Sequence, residues 1–383
     1  MKKNYVTLGE LATYVNGYAF KPTDWSDEGL EIIRIQNLTG NLSEVNLYSG
    51  EYNKKYEVNN GDVLISWSAS LGVYVWNKGR AILNQHIFKV VFNKVDVDKE
   101  FFIQQVGYIL GRANVHAHGA TMKHLTRPVF DSLKFYFPSR EEQKDISNKL
   151  CIVDRLIELH EKYVKDLEQL VKSRFIEMFG DPNINPYHWP MVKNGFVIKS
   201  CESGWSGNGV QRARKSGEIA VLKVSAVTKG YFISDECKVL DNQEQIKKYV
   251  FPEKGDLLFS RANTREMVGA TAIIYNDYPE LILPDKLWKL KFIDIVNVVY
   301  MKHVLSCNHI RSQFSLISNG TSGSMYNVSM SKFKEIDIPL PPIDLQNKFA
   351  DFVHQTEKSK LEVQKSLEEL ETLKKSLMQQ YFG

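Results

Sequence analysis

One stretch of this chain is present twice without a gap. Residues 137–180 align with residues 340–383 at a constant offset of 203. Pro138, Gln143, Leu167, Phe179 and Gly180 recur as Pro341, Gln346, Leu370, Phe382 and Gly383. Upstream the likeness continues: Phe130 matches Phe333, and Thr121-Met122 matches Ser324-Met325. Further back the offset falls to 200 for Leu83–Val90 against Leu283–Leu290, and to 194 for Gly61–Ser66 against Gly255–Ser260. A packed helix cannot absorb insertions, whereas loops absorb them cheaply. The duplication therefore predicts a unit made of a length-tolerant globular part and one length-fixed helix.

The helices read from their spacing. Ser139 with Glu142 three residues later has the form of a capping box. Ile146, Leu150, Val153, Ile157, Val164, Leu167 and Val171 then recur at intervals of three, four and seven, the seam of a coiled coil. Gly180 stands where a C-terminal cap belongs, with Pro182 just beyond. The second helix follows Pro341-Pro342, with Phe349, Val353, Val363, Leu367, Leu370 and Leu377 on its seam. Thr356 and Lys360 interrupt that seam. Some 40 residues at about 1.5 Å each make a rod of roughly 60 Å. Its apolar stripe calls for a partner, either the other copy or its own domain.

The parts before each helix are rich in β-branched and aromatic runs. Strands are expected at Leu30–Asn37, Asp62–Ser66, Val73–Trp76 and Ile87–Phe92. In the second half they are expected at Ile219–Val224, Asp256–Phe259, Ala270–Tyr275 and Leu287–Phe292. Short helices are expected at Phe101–Arg112 and Val298–Ser312. The segment Gly180–Pro186 reads as the linker, since Pro186 disfavours helix at Asn185.

Several functional classes lack their signatures. No apolar run approaches the roughly 18 residues of a membrane helix, and the first residues hold no apolar signal core. The four cysteines, Cys151, Cys201, Cys237 and Cys307, form no CxxC pair, as expected in a reducing cytoplasm. There is no phosphate-binding GxxxxGK[ST] loop, no GxGxxG, no HExxH and no GxSxG. Asn185-Pro186-Tyr187 lacks the second proline of an amino-methyltransferase loop. His116, His118 and His124 lack the carboxylate or thiol company a metal site needs. No catalytic residue and no metal ligand is expected. The net charge of +4 permits nucleic-acid binding, depending on where the charge sits.

What the chain offers instead is hydrogen-bonding and flat side chains in loops, the types that grip phosphates and read base edges. Ser66, Trp67 and Ser68 follow the repeated strand, and Arg261, Asn263 and Arg265 follow its counterpart. Asn84, Gln85, His86, Lys123, His124, Arg212, Arg214 and Lys215 are further candidates, with Ser324 and Tyr326 in the second copy's last loop. The alternative is that all are polar loop tips. The copies differ most at these loops while their helices agree.

The ordered set of motifs resembles the specificity (S) subunit of a Type I restriction-modification system over essentially the whole chain. Gly119–Leu125 is similar to the motif near the end of a target recognition domain. Phe135-Tyr136-Phe137-Pro138 with Glu142-Gln143, and Ile338–Pro342 with Gln346, resemble the strand, proline and glutamine that open the conserved helices. Phe179–Pro182, Asn185-Pro186 and Trp189-Pro190 resemble the joint into the second recognition domain, and Gly61-Asp62 and Gly255-Asp256 a shared strand start. The first copy departs by having Pro138-Ser139-Arg140 where a second proline is usual, and residues 320–326 match loosely.

The resemblance implies an α+β fold. Two mixed α/β target recognition domains stand in tandem, each followed by a long helix, the two helices pairing as an antiparallel coiled coil. The expected boundaries are 1–138 and 181–341 for the recognition domains, and 139–180 and 342–383 for the helices. The implied role is non-catalytic: double-stranded DNA read as a bipartite target, with two modification subunits and restriction/motor subunits docked. S-adenosylmethionine would bind in the modification subunits, and no cofactor in this chain. A fused DNA methyltransferase and a coiled-coil scaffold without DNA affinity are the competing readings.

Overall fold

The computed structural model describes residues 3–40, 44–116, 125–215, 217–318 and 326–383, the side chains of 113–116 and 245 excepted. By contacts it divides into two units: residues 1–162 with 364–383, and residues 163–363. Each unit thus holds a globular part and one end of both long helices.

The first unit is built on an antiparallel sheet in the spatial order Thr13–Asn16, Ile87–Val91, Val63–Ser66, Gly72–Val75. Side chains alternate across a strand. Val63 and Ile65 therefore enter a core with Phe101, Phe102 and Phe135, while Leu64 enters a second core with Ile33, Trp76 and Leu83. Two covered faces explain why this strand reads as an unbroken apolar run. A second sheet, Leu47–Tyr48, Leu30–Ile33, Ala81–Leu83, Glu57–Val58, closes the smaller core and contains one parallel pair.

The second unit repeats the first sheet in the same order: Ile198–Ser203, Leu287–Phe292, Leu257–Ser260, Thr271–Ile273. Leu257 and Phe259 face one core and Leu258 the other, as in the first unit. Its second sheet, Gly209–Val210, Cys237–Leu240, Ala220–Leu222, Leu281–Ile282, keeps the antiparallel and parallel pairs of the first unit's second sheet and differs in its fourth strand, which lies at the opposite edge. Both sheets are copied in their central strands; the edge of the outer sheet has drifted.

The long helices span Arg140–Phe179 and Ile343–Phe382. In the first unit Lys374 pairs with Asp154, and Ser366 lies 3.2 Å from His160. In the second, Lys360 pairs with Glu168, and the Phe175 and Phe349 rings are 5.5 Å apart. Rising numbers on one helix meet falling numbers on the other, so the helices pack antiparallel. The seam expected from spacing is buried at Leu150, Val153, Leu167, Val171, Phe349 and Val353. Thr356 satisfies its hydroxyl on the Phe352 carbonyl at 2.9 Å, a local bond that tolerates burial.

The repeated glutamine has the same task in both copies. Gln143 accepts from the Asp98 amide and donates to the Pro138 carbonyl, both at 2.9 Å. Gln346 accepts from the Asn297 amide at 2.9 Å and donates to Pro341 at 2.7 Å and Ile295 at 3.2 Å. Each fastens the start of a long helix to the loop that opens a shorter one. Of the expected capping box one half forms: Ser139 Oγ accepts from the Glu142 amide at 3.3 Å, while the Glu142 carboxylate takes the Tyr136 hydroxyl.

Two expected elements differ. The strand from Leu30 stops at Ile33, because Asn37 accepts from the Arg34 amide and turns the chain into a short helix at Ile35–Leu38. The helix expected at Val298–Ser312 breaks at Cys307, which is extended, giving Val298–Ser306 and Asn308–Ile317. The linker is a self-bonded joint. Asn185 donates to the Trp189 carbonyl and accepts from its amide, and the Trp189 indole donates to Phe179 O at 3.0 Å. Gly180 has φ +78°, and a Cβ there would sit 2.4 Å from Pro186 Cγ.

Candidate nucleic-acid interface

Each unit gathers several loops at one end of its copied sheet, and the gathering uses the same backbone hydrogen bonds. In the first unit the Trp67 amide donates to His86 O at 3.2 Å, and Trp67 O accepts from the Leu125 amide at 3.1 Å. In the second the Arg261 amide donates to Lys286 O at 3.1 Å, and Arg261 O accepts from Val328 at 2.9 Å. The loop after the first strand of the sheet joins them. Tyr18 donates from its amide to Leu83 O, and Trp205 to Leu283 O, both at 2.9 Å. The residue before each is glycine because the strands almost touch: a Cβ on Gly17 would lie 2.0 Å from Asn84 O, and one on Gly204 1.7 Å from Leu283 O. Positions 67 and 261 are therefore one backbone position carrying two different side chains, and so are Gln85 and Asp285.

The environments of those side chains differ. Trp67 stacks on Phe88 at 5.6 Å, meets the His86 ring edge-on at 4.9 Å, and donates from its indole to Asn16 Oδ1 at 3.3 Å. Arg261 donates from Nε to the Asp285 carbonyl at 2.8 Å, and its NH2 lies 3.7 Å from the Asp285 carboxylate. Asn263 pairs across strands with Tyr326, so these two expected residues stand together. Arg265 beside them is exposed.

Other candidates are engaged elsewhere. Ser66 is fully buried, its hydroxyl donating to the Ser70 carbonyl, and Ser68 is buried too. Asn84 accepts from the Gln85 amide at 2.9 Å, and Gln85 and His86 are half-buried. Arg212 is held by both oxygens of Glu218 at 2.7 Å, which drives that carboxyl down to about 2. Arg214 pairs with Glu280 at 3.2 Å, and the Lys215 side chain is exposed. Lys123, His124 and Ser324 lie outside the described residues, as does most of the Gly119–Leu125 motif and of the histidine cluster.

The sequence model of the Type I restriction modification DNA specificity domain matches this chain twice, over residues 2–169 and 191–372. The chain belongs to this family. It is similar to the Type I restriction enzyme EcoEI specificity subunit of Escherichia coli, 25% identical over 165 residues. That match covers 43% of this chain and 28% of the relative, so the chain spans less than a third of that relative's length. In fold it resembles the Type I restriction-modification system S subunit from M. genitalium, with TM-score 0.56 at 15% identity over 98% of this chain and 96% of that one. A chain solved for complex assembly and conformational transition of the type I R-M system aligns at TM-score 0.60 and 16% identity, over 100% and 98%.

Within this specificity-domain fold, the loops that sequence reasoning left out are Asn16–Tyr18 and Ser203–Ser206. The readable signal was a polar residue, a glycine and an aromatic after the first strand of each sheet, Asn16-Gly17-Tyr18 and Ser203-Gly204-Trp205. Tyr18 is 48% exposed and contacts the rings of Phe20 and Tyr56 at 4.9 and 5.8 Å, an aromatic patch beside Trp67's loop. No described helix is long and apolar enough to cross a membrane, and no described group of three His, Cys, Asp or Glu side chains could hold a metal ion.

Proposed function

We propose that this chain is the non-catalytic, cytoplasmic DNA-recognition subunit of a Type I restriction-modification complex. Residues 1–138 read one half of a bipartite target and residues 181–341 the other. The long helices, 139–180 and 342–383, space the readers and dock two modification subunits, which bind S-adenosylmethionine; restriction/motor subunits join them. The observation that carries this reading is the matched pair of loop clusters. The same backbone bonds hold unlike side chains at 67 and 261, as expected of one frame adapted to two sequences.

The test is the methylated motif written by the chain together with its modification partners. Replacing residues 1–138 by those of another family member should change one half of that motif only. A change in both halves defeats the modular reading. Methyl transfer by the isolated chain would place it instead with fused methyltransferases.

The spacer role has its own test. An insertion at Gly180 would fall beside Phe179, which is buried in the second unit's core, so the insertion belongs at mid-helix. Seven residues added after Lys162 and seven after Val363 keep the seam in phase. They should lengthen the gap between half-sites and leave the half-site sequences unchanged.

A further inference from the structure

Arg261 and Asp285 stand side by side in the second unit's loop cluster, and a third residue holds them there. The Ser206 hydroxyl donates to Asp285 Oδ1, and the Asp285 amide donates back to Ser206 Oγ at 3.3 Å. Ser206 directly follows Trp205, whose amide is fixed on Leu283 O, and Asp285 is two residues beyond that same leucine. The carboxylate is thus anchored to the sheet. It faces the guanidinium: Nε of Arg261 bonds the Asp285 carbonyl at 2.8 Å, and NH2 lies 3.7 Å from Oδ2.

Two facts set this arrangement apart from an ordinary ion pair. Both side chains keep access to solvent, 30% for Arg261 and 48% for Asp285, and ion pairs that wet add little to stability. The one short bond to the guanidinium is at Nε. Among the described residues the NH1–NH2 edge has no hydrogen-bond partner, so a planar two-donor fork is held with its outer edge open. A carboxylate with spare lone pairs sits next to it.

A G·C base pair shows, in the major groove, the N7 and O6 acceptors of guanine beside the N4 amino donor of cytosine. Two donors followed by one acceptor are its complement, in the order in which Arg261 and Asp285 supply them. The equivalent backbone positions of the first unit carry Trp67 and Gln85, which offer neither charge. We propose that Arg261 and Asp285 together read one G·C base pair of the second half-site, Arg261 on the guanine and Asp285 on the cytosine amino group. Ser206 is the positioning residue that aims the carboxylate. The proposal rests on the reading of this chain as a DNA-recognition subunit.

The experiment co-expresses the full chain with its modification partners and sequences the methylated bases genome-wide. The unaltered complex should write a bipartite motif with a fixed G·C pair in the half that a 181–341 exchange alters. Arg261→Ala and Asp285→Leu should each relax that same base pair, lowering discrimination there by roughly 5- to 150-fold, with every other position kept. Ser206→Ala should relax the same position less. A motif left unchanged by Asp285→Leu, a relaxation by the two variants at different positions, or a second half-site without a fixed G·C pair overturns the proposal. Should Arg261→Ala abolish methylation altogether, Asp285→Leu, which keeps the size of the side chain and removes its acceptors, decides. An unaltered complex that writes no bipartite motif overturns the recognition reading itself, a different result from any of these.

Discussion

The starts of the long helices and the loop clusters sit on equally well-copied backbone, yet only the first keep their side chains. Gln143 and Gln346 bond the same joint, with two and three backbone partners, and Phe179 and Phe382 close each helix in a core. At 67 and 261 the backbone bonds are as well matched as at the glutamines, but tryptophan stands against arginine. The difference teaches where the demand lies. A buried glutamine whose amide spans two backbone groups has no substitute of the same reach, whereas a side chain at a loop tip answers to what it meets outside.

The largest effect expected from breaking that comparison is at the glutamines. Gln346→Leu leaves the Asn297 amide and the Pro341 and Ile295 carbonyls without their partner. It should cost about 4 kcal/mol, at about 1–3 kcal/mol for each stranded group with the partly exposed ones at the low end. Gln143→Leu, with two bonds lost, should cost about 3 kcal/mol on the same scale. Native-state hydrogen exchange of the unit concerned measures this. If either leucine variant is as protected as the parent, the glutamines are copied for some other reason than this joint.

Next in size is the closure of each unit by a helix that begins elsewhere in the sequence. Phe382 packs on Phe101 at 5.5 Å in the first unit, while Phe179 packs on Tyr300 and Phe349 in the second. Phe382→Ala should therefore loosen the first unit by about 3 kcal/mol and Phe179→Ala the second by a similar amount, as cavities of that size do. Exchange protection of the Lys99–His116 helix should fall in the Phe382 variant and hold in the Phe179 variant. The reverse pattern would mean that each helix closes its own globular part.

Much of this was legible in the sequence, and the limits have physical causes. The helices followed from a periodic seam copied without a gap, their antiparallel pairing from the family resemblance, and the copied strand from Gly61–Ser66 and Gly255–Ser260. Local propensity misjudged Leu30–Asn37, where a single Asn37 side chain ends the strand, and Val298–Ser312, where Cys307 takes an extended conformation inside a helical pattern. At the candidate interface the strand-following positions 67 and 261 were readable because they adjoin a copied motif. Asn16–Tyr18 and Ser203–Ser206 carried a shared polar–glycine–aromatic pattern that did not by itself place them at the cluster, because what brings them in is a contact across some 65 to 79 residues of chain. Arg214 looked available because its partner, Glu280, is equally remote.

Acid should separate the units on a smaller scale. His303 in the second unit packs against the rings of Phe175 and Phe349, and burial first, then the charges of Lys302 and Lys172, hold its pKa down at about 3. Its structural counterpart in the first unit is Gln104, which bonds Asp154 at 2.7 Å and does not titrate. A base kept neutral in the fold lends full stability above its unfolded value, near 6.5, and loses it as pH falls toward 3. The second unit should weaken by up to about 1.4 kcal/mol per pH unit below 6.5. Glu218 and Glu253, held at about 2, add their own loss only below about 4.5. Denaturation followed from pH 7 to 5 checks this, and His303→Gln, the first unit's residue, should flatten the slope. A slope that survives the substitution assigns the effect to other groups.

The smallest effect tests whether the polar seam matters for stability at all. Lys360 occupies the position that Ile157 holds in the first copy, and it reaches Glu168 across the helix pair. Glu168 keeps half its side-chain surface in water, so the pair should contribute less than about 1 kcal/mol. Lys360→Ile copies the first half into the second, trading that pair for apolar burial. The two terms nearly cancel, so the net change should stay within about 0.5 kcal/mol by denaturation at moderate salt. A polar residue in an otherwise apolar seam more often selects register than strength. A loss above about 2 kcal/mol would instead make Glu168–Lys360 a major support of the second unit. The duplicated helices would then differ in what holds them together, as the loops do in what they present.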